Sequence, residues 1–185
     1  MKILVIDDMP RNTASARATL TGHEVTVVDN IKQAYGLLRT FGAKQFDVVL
    51  TDLFLPRGDF RGSFNSEYSE TAEQSWVDAS HPLPAGLVFA LAAANVGIRA
   101  VICTDTSHHE DWICSLLDML HPPFNKEEKP GDHKVAYVEA RSVPMKSLWD
   151  EERKELKPCE NPDYDNVVKD WHAAMKRSGI FPELC

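Results

Sequence analysis

Five short apolar runs punctuate the chain, and helix-favouring or polar stretches separate them. Lys2–Asp7, Glu24–Val28, Asp47–Thr51, Ile98–Cys103 and Lys134–Glu139 are rich in Val and Ile, and each is long enough for one strand. The first and third are apolar nearly throughout, the pattern of parallel strands covered on both faces. Between them Met9-Pro10 opens a helix over 11–20, with Pro suited to the first turn, an Ala-rich body, and Gly22 as its stop. Asp29 or Asn30 caps the next helix, in which Ile31, Ala34, Leu37, Leu38 and Phe41 recur at helical spacing before Gly42. A strongly apolar helix, Leu87–Ala94, begins at Gly86; another spans Asp111–Leu120, and a last amphipathic one Tyr164–Arg177. Strands alternating with helices predict an α/β fold, a doubly wound five-stranded parallel sheet with helices on both faces.

Three segments depart from this rhythm. Residues 57–84 are polar and rich in Ser, Gly and Glu, with isolated Phe60, Phe64, Tyr68 and Trp76 and a short helix expected over 66–76. So long an insertion in a compact domain is usually functional or disordered. Its aromatics are expected to form a satellite core over the 87–94 helix, which is apolar nearly all round and needs cover on its outer side; a partner-binding patch is the alternative. A second polar insertion runs over about 122–133 after His121-Pro-Pro, and the charged run Trp149–Lys157 reads as a solvated helix. The expected organisation is therefore one domain over 1–145 with two insertions, and a C-terminal helical extension over 146–185.

Bulk properties narrow the function classes. The 185 residues carry a formal net charge of −8, which argues against direct nucleic-acid binding, since that rests on phosphate neutralisation by Lys and Arg. No stretch approaches a membrane span, and Met1–Ile6 reads as a core strand rather than a secretory signal. Cys103, Cys114, Cys159 and Cys185 show no CxxC spacing, so reduced thiols and a cytoplasmic location are expected. His108 and His109 lie near Cys103 and Cys114 but fit no zinc spacing, and read as a solvated helix start. His81, His121 and His133 fall in loops and carry no signal.

The chemistry sits at the strand ends. The first strand closes in Asp7-Asp8 and the third in Asp52. Open α/β sheets bind ligands at the carboxyl edge of their strands, and if these two strands are neighbours the three acids converge. Converging carboxylates repel unless a cation lies among them, and hard oxygen ligands favour Mg²⁺.

The order of elements with these residues at the strand ends resembles the receiver domain of bacterial two-component response regulators. The resemblance covers residues 1–56 and then, with insertions, 85–121 and 134–140. Asp7 and Asp8 match its acidic pair, Asp52 its phospho-accepting aspartate, and Asp52-Leu-Phe-Leu-Pro56 its Asp-x-x-x-Pro turn. Gly86 matches the glycine opening helix three, Thr104 the switch residue closing strand four, and Tyr137 the aromatic switch on strand five. The resemblance implies a flavodoxin-like fold. It implies Mg²⁺ held by Asp8, Asp52 and the backbone carbonyl of Phe54, with Asp7 acting through water. It also implies phosphoryl transfer to Asp52 from a phosphohistidine or an acyl phosphate, followed by a hydrogen bond from Thr104 and an inward turn of Tyr137. A sensor histidine kinase or phosphotransfer protein would be the donor and a protein the downstream partner, with room for a homodimer. Such a chain is a switch rather than an enzyme.

Two departures stand out. The family places a phosphate-pairing Lys before a Pro at the end of strand five, where this chain has Ala140; Arg141 fits only through a bulge, and Lys146 only if the loop folds back. Asp105, directly after Thr104, adds a fourth acid where the family prefers a small residue. At ~4 Å and an effective dielectric of about 20, one such charge interacts at roughly 4 kcal/mol, opposing a phosphoryl group. These departures favour the alternative of a phosphorylation-independent pseudo-receiver. A haloacid-dehalogenase-like phosphatase fits less well, because it needs a second acid two residues after its nucleophile, and those positions hold Met9 and Phe54.

Overall fold

The structure, a computed structural model, describes residues 1–39, 45–56, 83–105, 113, 117, 134–159, 168–179 and 181. Its centre is a sheet of β1 (Lys2–Ile6), β2 (Glu24–Val28), β3 (Val48–Thr51), β4 (Arg99–Thr104) and β5 (Val135–Glu139), all parallel in the order β2-β1-β3-β4-β5. With helices on both faces this is the doubly wound α/β fold that the alternation of runs predicts, in the flavodoxin-like strand order that the resemblance implies.

The residue pattern explains the two-sided packing. Along β1, Ile3 and Val5 face one core with Ala16 of α1 (Pro10–Thr19) and Leu20 just after it, while Leu4 and Ile6 face the other with Ile31 and Ala34 of α2 (Ile31–Arg39). The second core is completed by Phe89, Ala90 and Ala93 of α3 (Ala85–Asn95), and the first by Trp171, Ala174 and Met175 of α4 (Trp171–Arg177). Period-two alternation therefore selects the helix each side chain meets, although both faces are apolar. Helix starts follow local chemistry: Pro10 occupies the first position of α1, and Asn30 Oδ1 accepts from the Gln33 amide at α2. Gly22, after α1, takes the left-handed conformation at φ 83°.

Two expectations change. The run Trp149–Lys157 is an antiparallel hairpin of β6 (Ser147–Asp150) and β7 (Glu155–Pro158) rather than a solvated helix. Its charges pair across the turn and the strands, Lys154 with Glu151 at 2.6 Å and Lys157 with Asp150, so the charge pattern serves a sheet. The last helix begins at Trp171, not Tyr164: Val168 to Asp170 are extended, and Asp170 caps the helix by accepting from the Ala173 amide. Among the described residues of the expected 111–120 helix, Ile113 and Leu117 are helical and pack on the second core.

On α3, Val88 and Leu91 point outward, 63% and 51% exposed. The aromatics expected to cover that side, the helix expected over 66–76, the second insertion, His108, His109, Cys114 and Cys185 lie outside the described residues. Among those described, no helix is long and apolar enough to cross a membrane.

Candidate functional site

Strand order reverses between β1 and β3, so a crevice opens where their carboxyl ends lie side by side. Ile6 pairs with Thr51 in register, which brings the next residues, Asp7 and Asp52, to the same level of the sheet edge. The Asp52 amide donates to the Ile6 carbonyl at 2.8 Å, and the Asp7 amide to the Val28 carbonyl at 3.1 Å, so both backbones are fixed by the ladder. Asp7 is fully buried and Asp52 is 6% exposed; Asp8 is half-buried at the rim. The sheet therefore brings the three acids of the sequence reading together.

The turn after Asp52 is pinned from the α3 side. Leu55 and Leu83 exchange two backbone hydrogen bonds, and the Gly86 amide donates to the Leu53 carbonyl at 3.0 Å. A Cβ on Gly86 would lie 1.7 Å from the Asp52 carbonyl oxygen. Only glycine lets the start of α3 approach the Asp52 backbone this closely.

At the centre of the site stands a cation where the sequence reading expects none. Lys169 Nζ lies 2.6 Å from Asp7 Oδ2 and 2.8 Å from Asp52 Oδ1, with the lysine fully buried. The expectation that the pocket lacks a lysine is thus corrected. Ala140 does occupy the end of β5, buried in a 3₁₀ turn over Ala140–Ser142, and neither the half-buried Arg141 nor the exposed Lys146 is the cation found there. Instead the chain leaves through Pro144, makes the hairpin, and returns at Lys169, which bridges back to Pro144. The Met145 amide donates to the Val168 carbonyl and the Asp170 amide to the Val143 carbonyl, closing the neck of the excursion. Lys169 also stands 5.3 Å from the centroid of the Trp171 ring.

Asp105 is corrected in part. It lies at the β4 end beside the buried Thr104, and Arg11 Nη2 reaches its Oδ2 at 3.2 Å. The fourth acid therefore has its own cation, from the first turn of α1, which offsets the repulsion expected of it. Because the pair is partly exposed, Asp105→Asn is expected to change unfolding free energy by less than about 1 kcal/mol in denaturant titrations. Tyr137 already lies in the core at 1% exposure, so an inward turn is not needed to bury it.

Electrostatics follow from burial among few cations. Desolvation, with the negative charge of Asp7 adding to it and Lys169 opposing, pushes the Asp52 carboxyl up to about 6. Burial likewise raises Asp7, against the pull of Lys169, and raises Asp8, with Asp52 contributing. Burial works against the Lys169 ammonium, but Asp52 and Asp7 outweigh it and hold the group charged. The Cys103 thiol beneath the site is pushed up to about 12 by burial, which makes it an inert core residue. With every group ionised, four carboxylates (Asp7, Asp8, Asp52, Asp105) face two cations (Lys169, Arg11), leaving two negative charges.

A pH dependence follows. The folded Asp52 pKa of about 6 exceeds the ordinary carboxylate value, so this group's contribution to stability is present below about pH 4 and lost as pH rises through about 6. Asp52→Asn removes that loss. The variant is expected to gain on the parent between those pH values, by about 1–3 kcal/mol at neutrality without added metal. Chemical denaturation at a series of pH values measures it, and a constant difference between the two proteins contradicts it.

The arrangement suits a hard divalent cation in one respect and limits it in another. Asp7 is already engaged: its Oδ1 accepts from the Met9 amide and Asn12 Nδ2, and its Oδ2 from Asn12 Nδ2 and Lys169. That leaves Asp8 and Asp52 as candidate carboxylate ligands. Among the described residues no group of three or more His, Cys, Asp and Glu side chains is set to hold a metal ion. Mg²⁺ ordinarily takes one or two carboxylates and completes its shell with waters and phosphate oxygens, so two acids and a carbonyl suffice. The residual charge of two is what such an ion would neutralise.

Lys169 is the residue that sequence reasoning missed. Its signal was present, in a Lys directly before a capping Asp and an amphipathic run. Starting the helix at Tyr164 hid it inside a helix body. Compared with family models and with curated proteins, the chain matches none.

Proposed function

We propose that this chain is an atypical receiver-type switch in which Asp52 accepts a phosphoryl group and the changed surface is read by a protein partner. The observation that supports this reading is Lys169, whose ammonium sits between Asp7 and Asp52. It supplies the cation that a phosphorylated aspartate would pair with and removes the strongest argument for a pseudo-receiver. The step is a displacement at phosphorus. A carboxylate oxygen of Asp52 forms the new O–P bond while the P–O bond of an acyl phosphate, or the P–N bond of a phosphohistidine, breaks and the leaving group keeps its electron pair. Such transfer depends on positioning and charge stabilisation rather than on proton chemistry at the protein. Lys169 would hold one side of the phosphoryl group and the Thr104 hydroxyl would donate to another oxygen. Asp8, Asp52 and the Phe54 carbonyl would hold Mg²⁺, which neutralises phosphoryl oxygens when bound.

The donor would be a sensor histidine kinase or a phosphotransfer protein in the cytoplasm. The output would be protein contact, since the net charge of −8 does not suit nucleic acid. Intact-mass measurement after incubation with acetyl phosphate and Mg²⁺ tests the reading. A single phosphoryl adduct that disappears in Asp52→Asn supports it. No adduct under conditions that label a known receiver would instead make the chain a phosphorylation-independent interaction module.

A further inference from the structure

Lys169 reaches the acids from beyond the hairpin, on a segment that β5 does not hold in place. The Pro144–Lys169 bridge ties this segment to the chain after β5, and the hydrogen bonds that tie it to α1 and to Asp7 meet at one residue. Asn12, fully buried in the first turns of α1, spends every polar group of its side chain on this task. Its Nδ2 donates to both oxygens of Asp7 at 3.2 Å, and its Oδ1 accepts from the Lys169 amide at 3.3 Å. Its backbone carbonyl accepts from the Trp171 indole Nε1 at 2.9 Å. One amide thus ties the acid to the backbone of the residue whose ammonium that acid binds, and the next anchor lies two residues further on. The amide is neutral, so it joins the two without adding to the crowded charge.

We propose that Asn12 is a positioning residue for the phosphoryl site, setting Lys169 between Asp7 and Asp52 by gripping Asp7 and the Lys169 backbone at once. For its effect on phosphoryl transfer this rests on the function proposed above; for the placement of Lys169 it does not. Asn12 touches no reacting atom and acts through Lys169. A merely structural asparagine would lower stability while leaving the Lys169 ammonium where it is in the folded fraction.

The experiment separates these roles in the full chain. Lysine ammonium resonances are recorded by NMR, with Lys169 assigned by its loss in Lys169→Arg. The parent should show one ammonium strongly protected from solvent exchange. Asn12→Ala should lose that protection while the β-sheet amides stay in place, and Asn12→Ser, too short to span both partners, should do the same. Labelling of Asp52 by acetyl phosphate should then slow by about 10-fold to 100-fold, the scale of a displaced catalytic group. Mg²⁺ affinity should not fall, because Asp8 and Asp52 remain and the ammonium beside Asp52 no longer competes with the ion. A protected Lys169 ammonium in either folded variant overturns the proposal. Should neither variant fold, the parent still decides: its Lys169 amide must exchange slowly with solvent, and exchange at the rate of an open loop overturns the grip. If the parent takes no phosphoryl group, the proposed function fails while the ammonium spectra continue to judge Asn12.

Discussion

Lys169→Ala is expected to cost about 3–5 kcal/mol of unfolding free energy near neutral pH, because it strands buried carboxylates without their cation. The lysine is fully buried and contacts both Asp7 and Asp52, themselves almost wholly removed from water. Two acids left facing each other will not both stay ionised, so one takes up a proton and its pKa rises further. The penalty should therefore shrink as pH falls toward about 4, where protonated carboxyls no longer need the ammonium. Lys169→Met, which restores much of the lost volume, should recover the packing share and keep the charge share. Denaturant titrations of the parent and both variants at two pH values measure this. A loss below about 1 kcal/mol for Lys169→Ala would place the ammonium outside the acid pair in solution.

Gly86→Ala is the second large effect. Its new methyl carbon would fall 1.7 Å from the Asp52 carbonyl oxygen and 3.0 Å from the Leu53 Cα, and both are backbone atoms fixed by the β3 ladder and the Leu55–Leu83 bridge. No side chain can swing away to make room, so either α3 or the Asp52 turn must move. Overpacking against a rigid neighbour costs about 1–3 kcal/mol and occasionally more, and this contact belongs at or above the upper end. Because the obstruction sits on the backbone that carries Asp52, acetyl phosphate labelling should fall along with thermal stability. An alanine variant with unchanged melting and labelling would show that α3 begins farther from Asp52 than described.

How far the sequence reveals this molecule depends on the range of the interactions involved. The five strands and the helices between them were legible because each buries a local run, and the run carries its own periodicity. The acids were legible too, because Asp7 and Asp52 are one residue past Ile6 and Thr51, and two parallel strands starting and ending alike bring their ends together. The hairpin was not. Its Glu, Asp, Lys and Arg pairs have helix-like spacing as well as hairpin geometry, and charge alone does not choose between them; Leu148 and Trp149 are too few to impose a period of two. Lys169 was hidden for a different reason. The residue that completes the pocket is set by a closed excursion, from Pro144 out through the hairpin and back, whose two ends meet only in three dimensions. Aligning by strand order puts Ala140 where the cation is wanted, and the one local mark of the return, a Lys before the capping Asp170, does not show which pocket that Lys reaches. Arg11 was hidden likewise: its contact with Asp105 joins α1 to the far end of β4.

The central claim is that Asp52 and Lys169 together form a phosphoryl-accepting pair. A crystal structure of the protein with Mg²⁺ and beryllofluoride, the mimic of an aspartyl phosphate, tests it most directly. The account predicts beryllium bonded to a carboxylate oxygen of Asp52, with Lys169 Nζ and the Thr104 hydroxyl each within hydrogen-bond distance of a fluorine. An Asp52 that remains unmodified and still paired with Lys169, under conditions that load a known receiver, would contradict it.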